Sequence, residues 1–213
     1  KQYREKNIYM INNIKIPRTS YSKASISDFQ KTKIESIYMS SILNQISLPF
    51  SLEKNKLNFV TSDASVINSG FLYMNQREKG KYCFSKDVEK ITPNKFNTKN
   101  LCLIFSPGRC GSTLLSNILR KLNITSISEC DALTQAEGNK TAIKRIVESF
   151  FSSQLIMSNK IAFKFRADTS RFAGVYLEVF PEATFVFIKR SPLEWAKSCS
   201  SKFKWSAIDM FKI

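Results

Sequence analysis

The stretch that most limits what this chain can become is residues 101–122, LCLIFSPGRCGSTLLSNILRKL. Leu101–Phe105 is a compact apolar run, the length of a strand covered on both faces. Further on, Leu115, Ile118, Leu119 and Leu122 fall at i, i+3, i+4 and i+7, which predicts a helix with one apolar stripe. Between them runs Ser106-Pro107-Gly108-Arg109-Cys110-Gly111-Ser112-Thr113. A tight loop from a buried strand into a helix aims unpaired backbone N–H groups and the positive end of the helix dipole at one point. That is a recipe for holding phosphate. Gly108 and Gly111 let the backbone approach an anion, Arg109 adds a fixed charge, and Ser112 and Thr113 add hydroxyl donors.

What the loop lacks narrows its chemistry. A nucleotide-triphosphatase loop reads G-x-x-x-x-G-K-[ST], with lysine on the β/γ-phosphates and a hydroxyl on magnesium. Here Ser112 follows Gly111, and Pro107 stands where the first glycine would be. The loop therefore reads as a phosphate cradle that is not of the ATP–magnesium type. Histidine is absent altogether, which removes Ser-His-Asp and Cys-His catalysis and His-ligated metals. A general base has to be a carboxylate, lysine or tyrosine.

With 213 residues the chain can form one domain with a real core, plus an appendage. Its formal charge of +16 predicts attraction to polyanions, whether nucleotides, nucleic acid, sulfated glycans or a membrane surface, without choosing among them. The five cysteines, Cys83, Cys102, Cys110, Cys130 and Cys199, show no CxxC spacing and read as reduced thiols of a cytoplasmic protein, not a zinc site. No metal is expected. There is no apolar run of about 18 residues to span a membrane, and the Lys-rich start lacks a signal-peptide core. A chain that opens on Lys1 and stops at Ile213 after a helical pattern reads as a fragment of a longer protein.

The expected fold class is α/β: a three-layer parallel sheet with a P-loop-type strand–loop–helix, preceded by an N-terminal appendage of mixed α and β. Residues 1–99 form that appendage, and residues 100–213 the nucleotide-binding core. In the appendage, Ser27 with Gln30 predicts a capped helix displaying Ile34, Ile37, Tyr38 and Ile42. Residues 58–60, 70–74 and 82–84 predict short strands, and residues 93–100 a polar link. In the core, residues 124–127 read as a strand ending in Glu129 and Asp131, and 141–157 as a helix. Residues 161–165 read as a strand carrying Lys164. A helix capped by Asp168 or Thr169 follows, then a strand over 184–188. Strands alternating with helices imply a parallel sheet with right-handed crossovers, whose carboxyl edge is where ligands bind.

A second constellation follows the last strand. Ser191 as N-cap, Pro192 at the first helical position and Glu194 two residues on announce a helix. Arg190 at the strand's end and Ser198, about two turns into the helix, can meet one anion.

These two motifs, in this order, resemble those of sulfotransferases that use 3′-phosphoadenosine 5′-phosphosulfate (PAPS). Pro-Gly-Arg109-Cys-Gly-Ser-Thr is similar to that family's 5′-phosphosulfate loop, Pro-x-(Lys/Arg)-Ser-Gly-Thr-Thr. Phe187-Ile188-Lys189-Arg190-Ser-Pro with Ser198 is similar to its 3′-phosphate motif, Arg-Asp-Pro followed by serine. Cys110 departs from the usual serine and Ser191 from the usual aspartate. The resemblance implies that Gly108, Arg109, Cys110, Gly111, Ser112 and Thr113 hold the 5′-phosphosulfate, and Arg190 and Ser198 the 3′-phosphate. It implies in-line transfer of a sulfuryl group from PAPS to a hydroxyl or amine acceptor, releasing 3′,5′-adenosine diphosphate, with no metal. Arg109 would steady the charge on the leaving group. Family members use histidine or glutamate as the base; with no histidine, Glu129 is the candidate and Asp131 and Glu137 are reserves, while Lys164, placed mid-strand, either points into the site or snorkels at a sheet edge. Two other readings stand beside this one: a P-loop nucleotide kinase, which would need a lysine after Gly111, and a non-catalytic basic protein binding nucleic acid on a similar fold.

Overall fold

The computed structural model describes residues 2–3, 7–15, 23–35, 37–38, 45–152 and 159–203, with the backbone alone for residues 2, 3, 37, 38, 202 and 203. In chain order the elements are β1 (Gln2–Tyr3), β2 (Ile8–Ile14), β3 (Phe29–Ile34), β4 (Ile37–Tyr38), β5 (Gln45–Glu53), β6 (Lys56–Asp63), α1 (Leu72–Lys79) and β7 (Tyr82–Asp87). They continue with β8 (Leu101–Phe105), α2 (Ser112–Lys121), β9 (Thr125–Ser128), α3 (Asp131–Gln135), α4 (Lys140–Phe151), β10 (Ile161–Lys164), α5 (Ala173–Val179), β11 (Thr184–Phe187) and α6 (Pro192–Phe203).

Among the described residues the chain is α/β, with a larger parallel sheet, a larger antiparallel sheet, a two-stranded antiparallel pair of β1 with β4, and helices. The parallel sheet has four strands in the order β11-β8-β10-β9, and the antiparallel sheet five in the order β3-β2-β7-β6-β5. In the parallel sheet Lys164 pairs with Ile104 on one side and Ser128 on the other, so all strands run out at one edge. Leu101, Leu103 and Phe105 alternate into the core with Ile161, Phe163 and Phe165. Phe163 meets Phe150 of α4 at 5.1 Å, and Phe165 meets Tyr176 of α5 at 4.8 Å. The same core runs on without a break into the antiparallel sheet through Ile46, Leu48, Leu57 and Phe59. Gln135 of α3 ties that helix to the antiparallel half, accepting from Leu52 N at 2.7 Å and donating to Ala24 O at 2.6 Å.

Several expectations for residues 1–99 are overturned. Phe29–Ile34 is a strand paired with β2, not a helix. The capping box belongs to Ser25 and Asp28, on a single 3-10 turn that ends at Asp28. The β-branched Thr32 and Ile34 suit the pleat, and a neighbouring strand outbids a weak local helix preference. Ile42 lies outside the described residues. Residues 70–74 are not a strand: α1 starts at Leu72 and buries Leu72, Tyr73 and Gln76 along one side. Residues 58–60 and 82–84 are strands as expected.

In the core, β8 has the expected bounds and α4 runs from Lys140 to Phe151; residues 153–158 lie outside the described ones. Neither Asp168 nor Thr169 caps a helix. A 3-10 stretch, Ala167–Phe172, leads into α5, and Thr169 is buried with its hydroxyl 3.0 Å from that of Thr134. The apolar stripe of α2 is only half used: Ile118 and Leu122 are exposed. The helix instead seats on β9 through hydroxyls, with Ser116 Oγ 2.5 Å from Ser126 Oγ and 2.8 Å from Ser128 Oγ. Small side chains let the helix lie close to the sheet.

Candidate functional site

The site is the carboxyl edge of the parallel sheet. Four strand ends deliver, across the sheet, Arg190 after β11, the residue 106–111 loop after β8, Lys164 and Arg166 at the end of β10, and Glu129 and Asp131 after β9. Adjacent strands stand about 4.8 Å apart. The strand order therefore puts Arg190 on one side of the loop and the acidic residues on the other.

The loop is built on left-handed backbone. Gly108, Arg109 and Gly111 have φ of 76°, 53° and 82°. Gly111 is the N-cap of α2, and a Cβ there would meet nothing within 4 Å. The amides of the first turn of α2 have no partner inside the helix. Ser112 is buried and Thr113 exposed at that mouth. The Cys110 thiol turns back and donates to Gly108 O at 3.0 Å. Burial raises its pKa, opposed by nearby Arg190.

The loop and the Arg190–Ser198 segment meet at Arg109. Arg190 Nη1 donates to Arg109 O at 2.9 Å, and Arg109 Nε donates to Ser198 Oγ at 3.1 Å. Ser191 caps α6, accepting from Glu194 N at 3.3 Å, which aims the helix so that Ser198 reaches the loop. Glu194 stands 3.8 Å from Arg190 Nη2. Three residues before Ser198, on the same face of α6, the buried Trp195 Nε1 has no acceptor among the described residues. Arg190, Arg109 and Ser198 thus form one hydrogen-bonded cluster beside the loop, with the amides at the start of α2 next to it.

On the other side Glu129, also left-handed at φ 56°, is ion-paired to Lys164. Their side chains are 17% and 5% exposed, so the pair is largely out of water. Lys164 does not snorkel at a sheet edge; β10 is an inner strand. Asp131, a reserve acid, is fully buried. It accepts from Arg166 Nη1 at 2.8 Å and from Ala24 N at 2.6 Å. Burial raises its carboxyl pKa against those bonds. It anchors structure and does not face the loop as a base. The other reserve, Glu137, is drawn to Lys23 at 2.5 Å, whose bond lowers its pKa.

Sequence reasoning missed Arg166, two residues past Lys164 at the same strand end, although a Lys-x-Arg pair closing a strand was a usable signal. It also missed Gly70 and Phe71. A Cβ at Gly70 would lie 4.0 Å from Thr113 Cγ2, and Lys164 Nζ stands 5.8 Å from the Phe71 ring centre. No local pattern announces such contacts. No helix of the described residues is long and apolar enough to cross a membrane. No family model, curated protein or solved structure matches the chain.

Proposed function

We propose that the chain is a PAPS-dependent sulfotransferase, acting on a hydroxyl or amine acceptor, on a three-layer P-loop-type core. The observation that carries the reading is the meeting of Arg190 and Ser198 at Arg109, which joins two motifs distant in sequence into one anion site. The strand order supports the three-layer fold. With right-handed crossovers, the step from β8 to β9 and the steps back through β10 to β11 run in opposite directions and put α2 and α4–α5 on opposite faces. Ligands bind where such connections diverge.

In this reading the α2 amides with Gly108, Arg109, Gly111, Ser112 and Thr113 hold the 5′-phosphosulfate, and Arg190 with Ser198 the 3′-phosphate. PAPS supplies an activated sulfuryl group. Glu129 takes the acceptor's proton as the acceptor oxygen or nitrogen bonds to sulfur and the bridging S–O bond breaks, its electron pair leaving with 3′,5′-adenosine diphosphate. Arg109 balances the charge on that leaving oxygen. Glu129 lies two strand spacings from the loop strand, about 10 Å, which leaves room for an acceptor between them. As in phosphoryl transfer, most of the catalysis is positioning and charge stabilisation.

The test is thermal unfolding with ligands and transfer of labelled sulfate. The expected result is a rise in Tm with 3′,5′-adenosine diphosphate that exceeds any rise with ATP and magnesium, and that drops in Arg190→Ala by the equivalent of about a 10- to 100-fold weaker affinity. A preference for ATP with magnesium would overturn the reading in favour of a kinase.

A further inference from the structure

The ends of β10 and β9 form a ladder of two rungs. Lys164 pairs with Glu129, and two residues further along each chain segment Arg166 pairs with Asp131 at 2.8 Å. Each cation also lies over a ring at the start of α1. Lys164 Nζ is 5.8 Å from the centre of Phe71, and the Arg166 guanidinium 5.6 Å from that of Tyr73. The rungs differ in depth: Asp131 and Tyr73 are buried, whereas Glu129 is partly exposed and Phe71 exposed.

Regular strand geometry would not make the outer rung. Ser128 is the register partner of Lys164, so their side chains share a face, and a Glu129 that continued the strand would point to the other one. Instead Glu129 has φ 56°, while its N–H donates to Lys164 O at 2.8 Å. The left-handed turn brings the carboxylate back to the Lys164 side. For a residue with a Cβ that conformation carries a steric cost and persists only where the surroundings over-determine it. The residues after Glu129 supply the constraint. Cys130 is the N-cap of α3 and Asp131 its first residue. The Asp131 carboxylate is gripped by Arg166 Nη1 and by Ala24 N at 2.6 Å, and Gln135, one turn on, donates to Ala24 O at 2.6 Å. The start of α3 is thereby fixed to β10 on one side and to the antiparallel half on the other.

We propose that Asp131 and Arg166 are positioning residues, which pin the start of α3 so that Glu129 stays left-handed and its carboxylate stays on Lys164. The pinning stands without any particular reaction. That it serves proton removal by Glu129 rests on the sulfotransferase reading.

The test follows the side-chain ammonium signal of Lys164 by NMR in the full chain, because a buried, paired ammonium exchanges its protons with water slowly. Lys164→Arg identifies the signal by removing it. Asp131→Asn combined with Arg166→Met removes both inner charges together, which a folded core tolerates better than the loss of one partner. The signal is expected in wild type, kept in Arg166→Lys, which preserves the inner charges, and lost in the double variant although that variant still unfolds cooperatively. A signal that persists in the folded double variant, or that is missing from wild type, overturns the proposal. Should the double variant not fold, Asp131→Asn alone decides: a signal of wild-type strength overturns the proposal and a weakened one supports it. In transfer of labelled sulfate the double variant should lower kcat about 100-fold and leave the KM for PAPS unchanged. A raised KM with unchanged kcat would overturn the positioning role. If wild type transfers no sulfate while the Lys164 signal depends on the inner pair, the transfer reading fails and the pinning stands.

Discussion

The Glu129–Lys164 pair concentrates the chemistry of the acidic side in two largely buried charges. Breaking such a pair leaves one charge uncompensated away from water, at about 3–5 kcal/mol, whereas replacing both partners by neutral groups is often tolerated. Glu129→Gln is therefore expected to destabilise by about 3 kcal/mol in urea unfolding, and adding Lys164→Met to recover most of the loss. The functional expectation is separate. Glu129→Gln is expected to keep the Tm rise with 3′,5′-adenosine diphosphate on the proposed reading, because Glu129 lies two strands from the loop, with Arg190 on its far side, while turnover falls about 10²- to 10⁴-fold. Wild-type turnover in that variant would move the base elsewhere. Glu129 was legible in the sequence because it follows a strand; its partner was not, since the register of β9 against β10 is what brings them together.

At the scale of elements, the β8–loop–α2 unit shows how backbone conformation and seating cooperate. Gly111 holds φ 82° at the helix start, a conformation that costs an L-residue about 1–2 kcal/mol. Gly111→Ala is expected to lose about that much stability and to weaken the nucleotide response as the loop turns away. Gly174, exposed in α5 where a Cβ would meet nothing within 4 Å, is the matched control: Gly174→Ala should stabilise by about 0.5–1 kcal/mol. Equal effects at the two sites in urea titrations would show that the loop's conformation is not the constraint. The seat of α2 on Ser116, Ser126 and Ser128 was hidden from periodicity, because the i, i+3, i+4, i+7 rule looks for apolar residues and this contact is made by hydroxyls.

At the scale of the molecule, one core joins the parallel and the five-stranded sheet, and α3 packs against β5. Leu133 of α3 is buried, so Leu133→Ala should cost about 2–5 kcal/mol. Fluorescence and circular dichroism are expected to follow one coincident transition in wild type and variant alike. Two separated transitions would mean that the halves fold independently. By itself the sequence determined the unit 101–122, the parallel strands of the core and the capped start of α6, because buried apolar runs, glycines and helix caps act within a few residues of themselves. It did not determine that Phe29–Ile34 would be a strand, because a short β-branched segment takes its conformation from the strand beside it. Nor could it place Arg109 between Arg190 and Ser198, or Phe71 over Lys164. Those meetings depend on strand order and on how the two sheets dock, and the burial that drives docking is nondirectional and sums over the whole chain.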